Sequence, residues 1–344
     1  MKPLNERFKK LKKIKILIIR LKPIGDTILI SPVFRNLKKL YPQCEIDLII
    51  YPFAYDAIKN NPHVDKIIIL KRSLLPKLVF YFRSFFKYYH VIIDYINNPT
   101  STMIALFTHA KVKIGNRTKR NFFYNFRIRS DKREYSSIRC LRLLEPLGLK
   151  DMKDHLPEMF LDEKDRITAD RLLIGLKIKD PIIAIFVSAK YPTRQYTSEN
   201  FARLGELIIN KANQNVLFLF GKDDNGSLYT VQRLLIHQKN VFFISPQITI
   251  GELGALLSKA RYLITNDTGP KHMATALGVP TLTIFGATDD QIWNLPDTKK
   301  NPVIRKKLSC APCNKLTCPL GTLACMKDLA PEDVFKAFQK NFKS

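Results

Sequence analysis

No stretch of this sequence can cross a bilayer as a helix. Nothing approaches the ~18 uncharged apolar residues that a span needs, and the apolar run at 14–21 is interrupted by Lys15 and Arg20. No small-residue cleavage site follows that run, so a secretory signal is not expected. Low-complexity segments and internal repeats are absent. Hydrophobic residues at 46% and charged residues at 25% describe a globular chain and exclude disordered or fibrous classes. Acid is scarce, with 30 Asp and Glu against 57 Lys and Arg, a net charge of +27. Glycine is sparse where a dinucleotide fingerprint would need it. The loop after the first expected strand has Gly25 alone in place of G-x-G-x-x-G, which argues against a dehydrogenase. Helix-turn-helix, zinc-finger and RNP signatures are also missing, so the positive charge has no nucleic-acid-binding motif to accompany it.

At about 150 residues per domain, 344 residues suggest two domains. The basic excess is uneven: residues 1–165 hold 33 basic and 16 acidic side chains, and the rest hold 24 and 14. Such an excess favours an anionic partner (nucleic acid, an acidic membrane surface or phosphorylated substrates) unless it reflects a Lys-rich proteome. Short β-branched runs at 15–21, 45–51, 66–70 and 91–95 read as strands, with helices over 27–40, 53–60, 74–89 and 100–109. A helix over 136–147 and a polar segment at 150–165 follow. The alternation then restarts, with strands at 181–187, 216–220, 241–244, 262–266 and 281–285 and helices over 200–211, 227–237, 251–259 and 270–277. Continuous apolar strands separated by helices require a parallel sheet covered on both faces. The expected architecture is α/β, two doubly wound domains over 1–165 and 166–330. A helix within 331–344 is expected to return to the first domain. Ligands of such sheets bind beyond the carboxyl ends of the strands.

Two strand-end loops carry the candidate chemistry. The first is Lys22-Pro23-Ile24-Gly25-Asp26-Thr27. Asp26 and Thr27 are helix-capping types, and Asp26 is equally a carboxylate able to act as a general base. The second runs from Thr265 through Asn266, Asp267, Thr268, Gly269, Pro270 and Lys271 to His272. Thr268 or Asp267 can cap the helix that follows, Pro270 suits its first turn, and Gly269 lets backbone approach a ligand. Amides at such a terminus form an anion site, to which Lys271 adds a full charge, and a diphosphate is its natural occupant. His272 is either a packed histidine or a ligand contact.

The block D-T-G-P-K-H-M-A-T-A-L-G-V-P-T-L-T-I-F-G-A-T at 267–288 resembles the signature of the glycosyltransferase family that holds the lipopolysaccharide heptosyltransferases. R-L-K-P-I-G-D-T-I-L-I-S-P-V at 20–33 resembles that family's opening strand and acceptor loop. The resemblance implies a GT-B fold, two Rossmann-like domains facing a cleft, with the acceptor on the first and the nucleotide sugar on the second. It implies that Asp26 deprotonates the acceptor hydroxyl, with Lys22, Gly25, Thr27, Arg117, Lys119 and Arg120 on the acceptor side. Ser188, Lys190, Arg194, Asp223, Asp267, Thr268, Gly269, Lys271 and His272 fall at donor-side positions. Asp223 would meet the ribose, or is an exposed loop acid. Arg194 stands where Lys is common in the family, and Tyr196-Thr197 where Trp-Pro is common. Arg grips a diphosphate with a planar fork, Lys as a point charge. No D-x-D is present, which suits a metal-independent, inverting displacement with no cofactor. The implied donor is ADP-heptose, and the implied acceptor is lipid A with its Kdo inner core on the cytoplasmic face of the inner membrane. Nucleic acid is not expected as a partner. The alternatives are another sugar-nucleotide transferase of cell-surface glycan synthesis and, from another class, a basic nucleic-acid-binding protein.

Cys310, Cys313, Cys318 and Cys325 form C-x2-C-x4-C-x6-C, which invites a zinc reading, but paired C-x-x-C knuckles are lacking. Packed or redox-sensitive thiols are the preferred expectation. Basic-aromatic stretches at 1–15, 74–90 and 111–133 are either solvated helix faces or an interfacial surface that meets anionic headgroups.

Overall fold

The computed structural model describes residues 8, 11–118, 122–131, 133–178, 181–297 and 299–342, the side chains of 74–76 and 83 excepted. The chain divides into two units, Met1–Phe160 and Leu161–Ser344.

In the first unit the run IKILII forms β1 (Ile14–Ile19), in which every residue but Lys15 is buried. Branched apolar side chains fit a strand covered on both faces. Beside it lie β2 (Cys44–Ile50), β3 (Lys66–Ile69), β4 (Tyr88–Asp94), β5 (His109–Asn116) and β6 (Phe126–Ile128). All pair in parallel, in the order β3-β2-β1-β4-β5-β6. The helices of this unit are α1 (Ile24–Ile28), α2 (Ser31–Leu40), α3 (Leu74–Phe85), α4 (Pro99–Phe107) and α5 (Ser136–Arg142). Ile16, Ile18 and Ile93 meet Val33, Phe34 and Leu37 on one face of the sheet. Leu17, Ile19 and Ile92 meet Ile104 on the other. Each such side chain removed from water contributes about 1.5–3 kcal/mol. The strand order reverses between β1 and β4, where Ile19 is level with Asp94.

The second unit repeats the winding. It has β7 (Ile182–Phe186), β8 (Asn215–Leu219), β9 (Val241–Phe243), β10 (Tyr262–Asn266), β11 (Thr281–Ile284) and β12 (Val303–Ile304), in the order β12-β11-β10-β7-β8-β9. Counted within the unit this is again 3-2-1-4-5-6, the dinucleotide-fold order, and it reverses between β7 and β10. The helices are α6 (Glu163–Gly175), α7 (Ser198–Ala212), α8 (Asn225–Leu234), α9 (Ile250–Lys259), α10 (Gly269–Ala276), α11 (Asp290–Trp293), α12 (Ala324–Lys327) and α13 (Pro331–Asn341).

Several elements depart from the sequence reading for visible reasons. The single helix expected over 27–40 is two, α1 and α2, with Pro32 near the start of the second, where its missing N–H costs nothing. The helix expected at 53–60 is a 3-10 segment, Pro52–Ala57. Strands β5, β6 and β12 and helix α6 were not anticipated. β5 carries Lys111, Lys113 and Gly115, β6 and β12 are very short, and α6 buries only Asp165, Ala169 and Leu173. Helix α6 starts within the polar segment read as a boundary, with Asp162 as its N-cap. It lies so close to α9 that a Cβ on Gly251 would sit 2.0 Å from Asp165 Oδ2. Helix α13, expected to return to the first domain, turns Val334, Phe335 and Phe338 into the core of the second unit, with Phe338 edge-on to Tyr262.

Candidate functional site

Both candidate loops leave the carboxyl ends of strands that flank a reversal of strand order, where doubly wound sheets leave room for ligands. In the first unit, β1 runs into Arg20, which is 5% exposed. A guanidinium this buried needs partners. Arg20 Nε donates to the Asp26 carbonyl and Nη2 to Asp26 Oδ1, each at 3.0 Å. Asp26 lies in the first turn of α1 behind Pro23, and no side chain caps that helix. The capping reading is therefore not what the structure adopts. Asp26 is clamped by its backbone and by one carboxylate oxygen, and Oδ2 accepts no hydrogen bond from the described residues.

Lys22 is exposed beside this turn, and Gly25 is buried inside the short helix. Thr27 is fully buried and donates to the Pro23 carbonyl at 3.1 Å, so its hydroxyl braces the turn and does not face solvent. Arg117 is exposed at the carboxyl end of β5, on the same sheet edge as Asp26. Lys119 and Arg120 lie outside the described residues.

Asp94, at the end of β4, was not singled out from the sequence. It is fully buried, accepts the amides of Ile96 and Asn97, and receives the Tyr124 hydroxyl at 2.7 Å. Burial pushes its carboxyl above the ordinary range against the pull of these donors.

In the second unit, helix α10 starts at Gly269 behind Thr268, and no side chain caps it. Thr268 turns its hydroxyl back to the Asn266 carbonyl at 3.4 Å. Asp267 is engaged elsewhere: Oδ1 accepts Lys271 Nζ at 2.8 Å, and Oδ2 accepts the Thr288 hydroxyl at 2.8 Å. Among the described residues the first-turn amides of Gly269 and Lys271 consequently lack a side-chain acceptor, the condition for an anion site. Lys271 itself is 1% exposed and also donates to the Trp293 carbonyl at 2.7 Å. Its ammonium does not reach the space before the helix, so the charge expected there from Lys271 is internal to the protein. Burial pushes the Asp267 carboxyl upward, but the Lys271 ammonium and the Thr288 bond outweigh it and leave the group below its usual value. His272 is 5% exposed, and burial together with Lys271 holds it well below the usual imidazole value, so it is neutral. Its ring lies 6.4 Å from Trp293.

The positive charge at this edge comes from Arg194. Its Nη1 is 3.9 Å from Asp267 Oδ2, and its Nε is buried with no hydrogen-bond partner among the described residues. The loop that carries it is braced by neutral amides. Asn266 donates to the Val187 carbonyl and accepts the Tyr196 amide, while Gln195 donates to Val187 and Tyr196 carbonyls and accepts from Ala189. Gly286 permits that loop's approach, because a Cβ there would lie 2.5 Å from the Thr193 carbonyl oxygen. Lys190 is exposed and, with Ala189, Pro192, Gln195, Thr197, Leu323 and Lys327, lines a groove of about 350 Å³. Ser188 is committed, accepting the Gly221 amide at 2.8 Å and donating to Asp224. Asp224, which the sequence reading passed over, also caps α8. Asp223 next to it is exposed with a left-handed φ of 66°.

The cysteine segment adjoins this loop through the Thr193 hydroxyl, which donates to the Lys315 carbonyl at 2.9 Å. All six cysteines are unbridged. Among the described residues no group of three or more His, Cys, Asp or Glu is disposed to hold a metal ion, and no helix is long and apolar enough to cross a membrane.

Two doubly wound sheets, one presenting a clamped carboxylate and the other an uncapped helix terminus beside an arginine, define the architecture of a GT-B glycosyltransferase. The sequence model of glycosyltransferase family 9 (heptosyltransferase) matches residues 82–324, more than half of the chain, and the chain belongs to that family. Over 292 residues it is 28% identical to lipopolysaccharide heptosyltransferase 1 of Campylobacter coli, covering 80% of this chain and 84% of the relative. The solved family 9 glycosyltransferase of Veillonella parvula matches with a TM-score of 0.82 at 21% identity, covering 96% of this chain and 98% of that one. E. coli ADP-heptose lps heptosyltransferase II matches at 0.75 and 19%, covering 95% and 98%. At these identities the two structures speak to the fold. The family match begins downstream of Asp26, so the role of that residue rests on the amino-terminal motif and its geometry.

Proposed function

We propose that this protein transfers heptose from ADP-heptose to the inner core of lipopolysaccharide, with inversion at the anomeric carbon. The observation that carries this reading is the uncapped start of α10 beside Arg194, in a chain of the heptosyltransferase family. The Gly269 and Lys271 amides, the Thr268 hydroxyl and Arg194 would hold the donor diphosphate, with Lys190 at the rim and Asp223 toward the ribose. Asp267, Lys271 and Ser188 serve as braces of these loops, and His272 is a neutral hydrogen-bonding partner at the same turn. In the reaction the acceptor oxygen bonds to the anomeric carbon while the bond from that carbon to the diphosphate oxygen breaks. ADP leaves with the electron pair, and the acceptor proton passes to Asp26 Oδ2. Lys22 and Arg117 are cations suited to the phosphorylated acceptor. The acceptor's lipid places the enzyme on the cytoplasmic face of the inner membrane as a peripheral protein.

The test is direct. Purified protein should bind ADP in preference to UDP and GDP by calorimetry, and should transfer heptose to Kdo-lipid A or heptosyl-Kdo-lipid A. Preference for UDP or GDP, with no heptose transfer, would assign a different sugar nucleotide.

A further inference from the structure

Helix α3 departs from the pattern of a helix that covers a sheet, apolar inward and polar outward. Its inner side, through Phe80 and Tyr81, packs on the cluster around Tyr89 and Ile104. Its outer side is apolar too. Leu78 is 62% exposed, Phe82 69% and Phe86 72%, with Phe85 half exposed, a stripe at i, i+4, i+7 and i+8. The Phe86 ring is edge-on to Phe82 at 5.3 Å and to Phe85 at 5.7 Å, so these rings form one surface. Helix α4 lies beside α3, with the Phe107 ring 6.0 Å from Tyr81, and adds the half-exposed Leu106 to the apolar side chains there. A contiguous exposed apolar face of this kind marks an interaction site.

The charge around the face identifies the partner. Residues 66–130 contain 13 Lys and Arg and one carboxylate, Asp94, which is fully buried. This stretch therefore shows solvent no acid at all. Lys87 directly follows Phe86, and the exposed Lys111 shares a strand face with His109, whose ring is 5.0 Å from Phe85. A second copy of this chain would bring the same cations face to face, which is repulsive in a two-fold contact. An anionic lipid surface answers both features: rings enter the boundary between headgroups and acyl chains, and cations meet lipid phosphates.

We propose that the α3–α4 face is the surface by which this protein docks on an anionic membrane. The proposal deepens the peripheral-membrane part of the proposed function and rests on that reading. Co-sedimentation with vesicles tests it, using phosphatidylcholine alone and phosphatidylcholine with one third phosphatidylglycerol. The wild type should favour the anionic vesicles by at least about tenfold, and Phe82→Asp/Phe86→Asp should lose at least about tenfold of that affinity. The same variant should keep its ADP affinity and its rate on a deacylated, water-soluble acceptor. If the variant melts early, Lys87→Glu/Lys111→Glu decides, and it should lose the preference for anionic vesicles. Unchanged vesicle binding in the folded variants overturns the proposal, as does a wild type that ignores both vesicles or uses these phenylalanines to dimerise. Phenylalanine-dependent vesicle binding with no heptose transfer to any acceptor would sink the transferase reading and leave the docking face standing.

Discussion

Replacing Lys271 with Met separates two roles that this lysine could have: a cation offered to a diphosphate, or one half of an internal ion pair. In the structure Lys271 is 1% exposed and its Nζ sits 2.8 Å from Asp267 Oδ1. Removing one partner of a buried pair costs about 3–5 kcal/mol, because the other charge stays buried. Here the Thr288 hydroxyl at 2.8 Å and Arg194 at 3.9 Å still face Asp267, which sets the expectation at the lower end, about 3 kcal/mol. For a unit of this size that corresponds to a fall in melting temperature of about 6–12 °C. The loss should depend on pH. In the wild type Asp267 is held below its unfolded value, so its contribution is complete above the ordinary carboxylate range and is lost as pH falls through the folded value. In the variant burial dominates and raises the folded value above the unfolded one, so the deficit is largest near neutral pH and shrinks on acidification. Scanning calorimetry at about pH 8 and about pH 5 reads both effects, and Asp267→Asn/Lys271→Met should recover most of the loss. A Lys271→Met protein that melts within about 1 °C of the wild type, yet binds ADP at least about tenfold more weakly, would refute this account and put the ammonium on the ligand.

Asp26→Asn should leave ADP affinity unchanged and lower turnover by about 100-fold or more, measured as heptose transfer under saturating donor; near-normal turnover would remove Asp26 as the base. Gly286→Ala places a Cβ 2.3 Å from Met326 Sδ and 2.5 Å from the Thr193 carbonyl oxygen. It should destabilise by about 1–3 kcal/mol and weaken ADP binding by displacing the turn that carries Arg194, and thermal melts with nucleotide titration check both. The Cys318 thiol is pulled below its usual value chiefly by the Leu323 amide, with the Leu320 and Gly321 amides adding to it. Burial pushes Cys325 upward and Cys44 to about 11. Iodoacetamide at neutral pH should therefore alkylate Cys318 well before Cys325 and Cys44, as read by peptide mass mapping.

The sequence exposes the fold where a strand is buried on both faces. IKILII and IIAIF are nearly unbroken apolar runs, and their period-free hydrophobicity is what a central parallel strand requires. It conceals β5, because Lys111 and Lys113 break up the apolar residues of HAKVKIGN, which reads as the end of one helix and the start of a basic-aromatic stretch. Helix α6 is hidden for the opposite reason: its buried positions are Asp165, Ala169 and Leu173, too thin a stripe to register. The site divides in the same way. Both loops can be located because they follow legible strands. What their side chains hold is set by partners distant in sequence, as with Ser188 and Asp224 or Asp267 and Thr288, and no local pattern reports it. Two signals were nonetheless available. Asp267 and Lys271 are four residues apart across a helix start, the spacing at which opposite charges meet. Arg20 ends an apolar strand, where a charge persists only if something nearby pairs with it.

The internal pairing of Lys271 explains how the proposed diphosphate site can contain an aspartate. A carboxylate within 4 Å of a bound diphosphate would oppose it strongly at low dielectric. Asp267 nevertheless stands just ahead of α10, because its two oxygens tie the loop there to Thr288 and to Lys271 in the first turn. Pairing with Lys271 cancels the charge, and His272, neutral through burial, adds none. What remains facing the helix terminus is the partial positive charge of the Gly269 and Lys271 amides and the full charge of Arg194, with Lys190 at the rim. The first unit inverts this arrangement at its own strand reversal. There the buried charge is the Arg20 guanidinium, and the group it holds outward is the Asp26 carboxylate. One winding of strands thus presents an acid-holding edge in one unit and an anion-attracting edge in the other. The difference lies in which group is turned outward: Asp26 beside a buried arginine in the first unit, and Arg194 beside a buried, internally paired aspartate in the second.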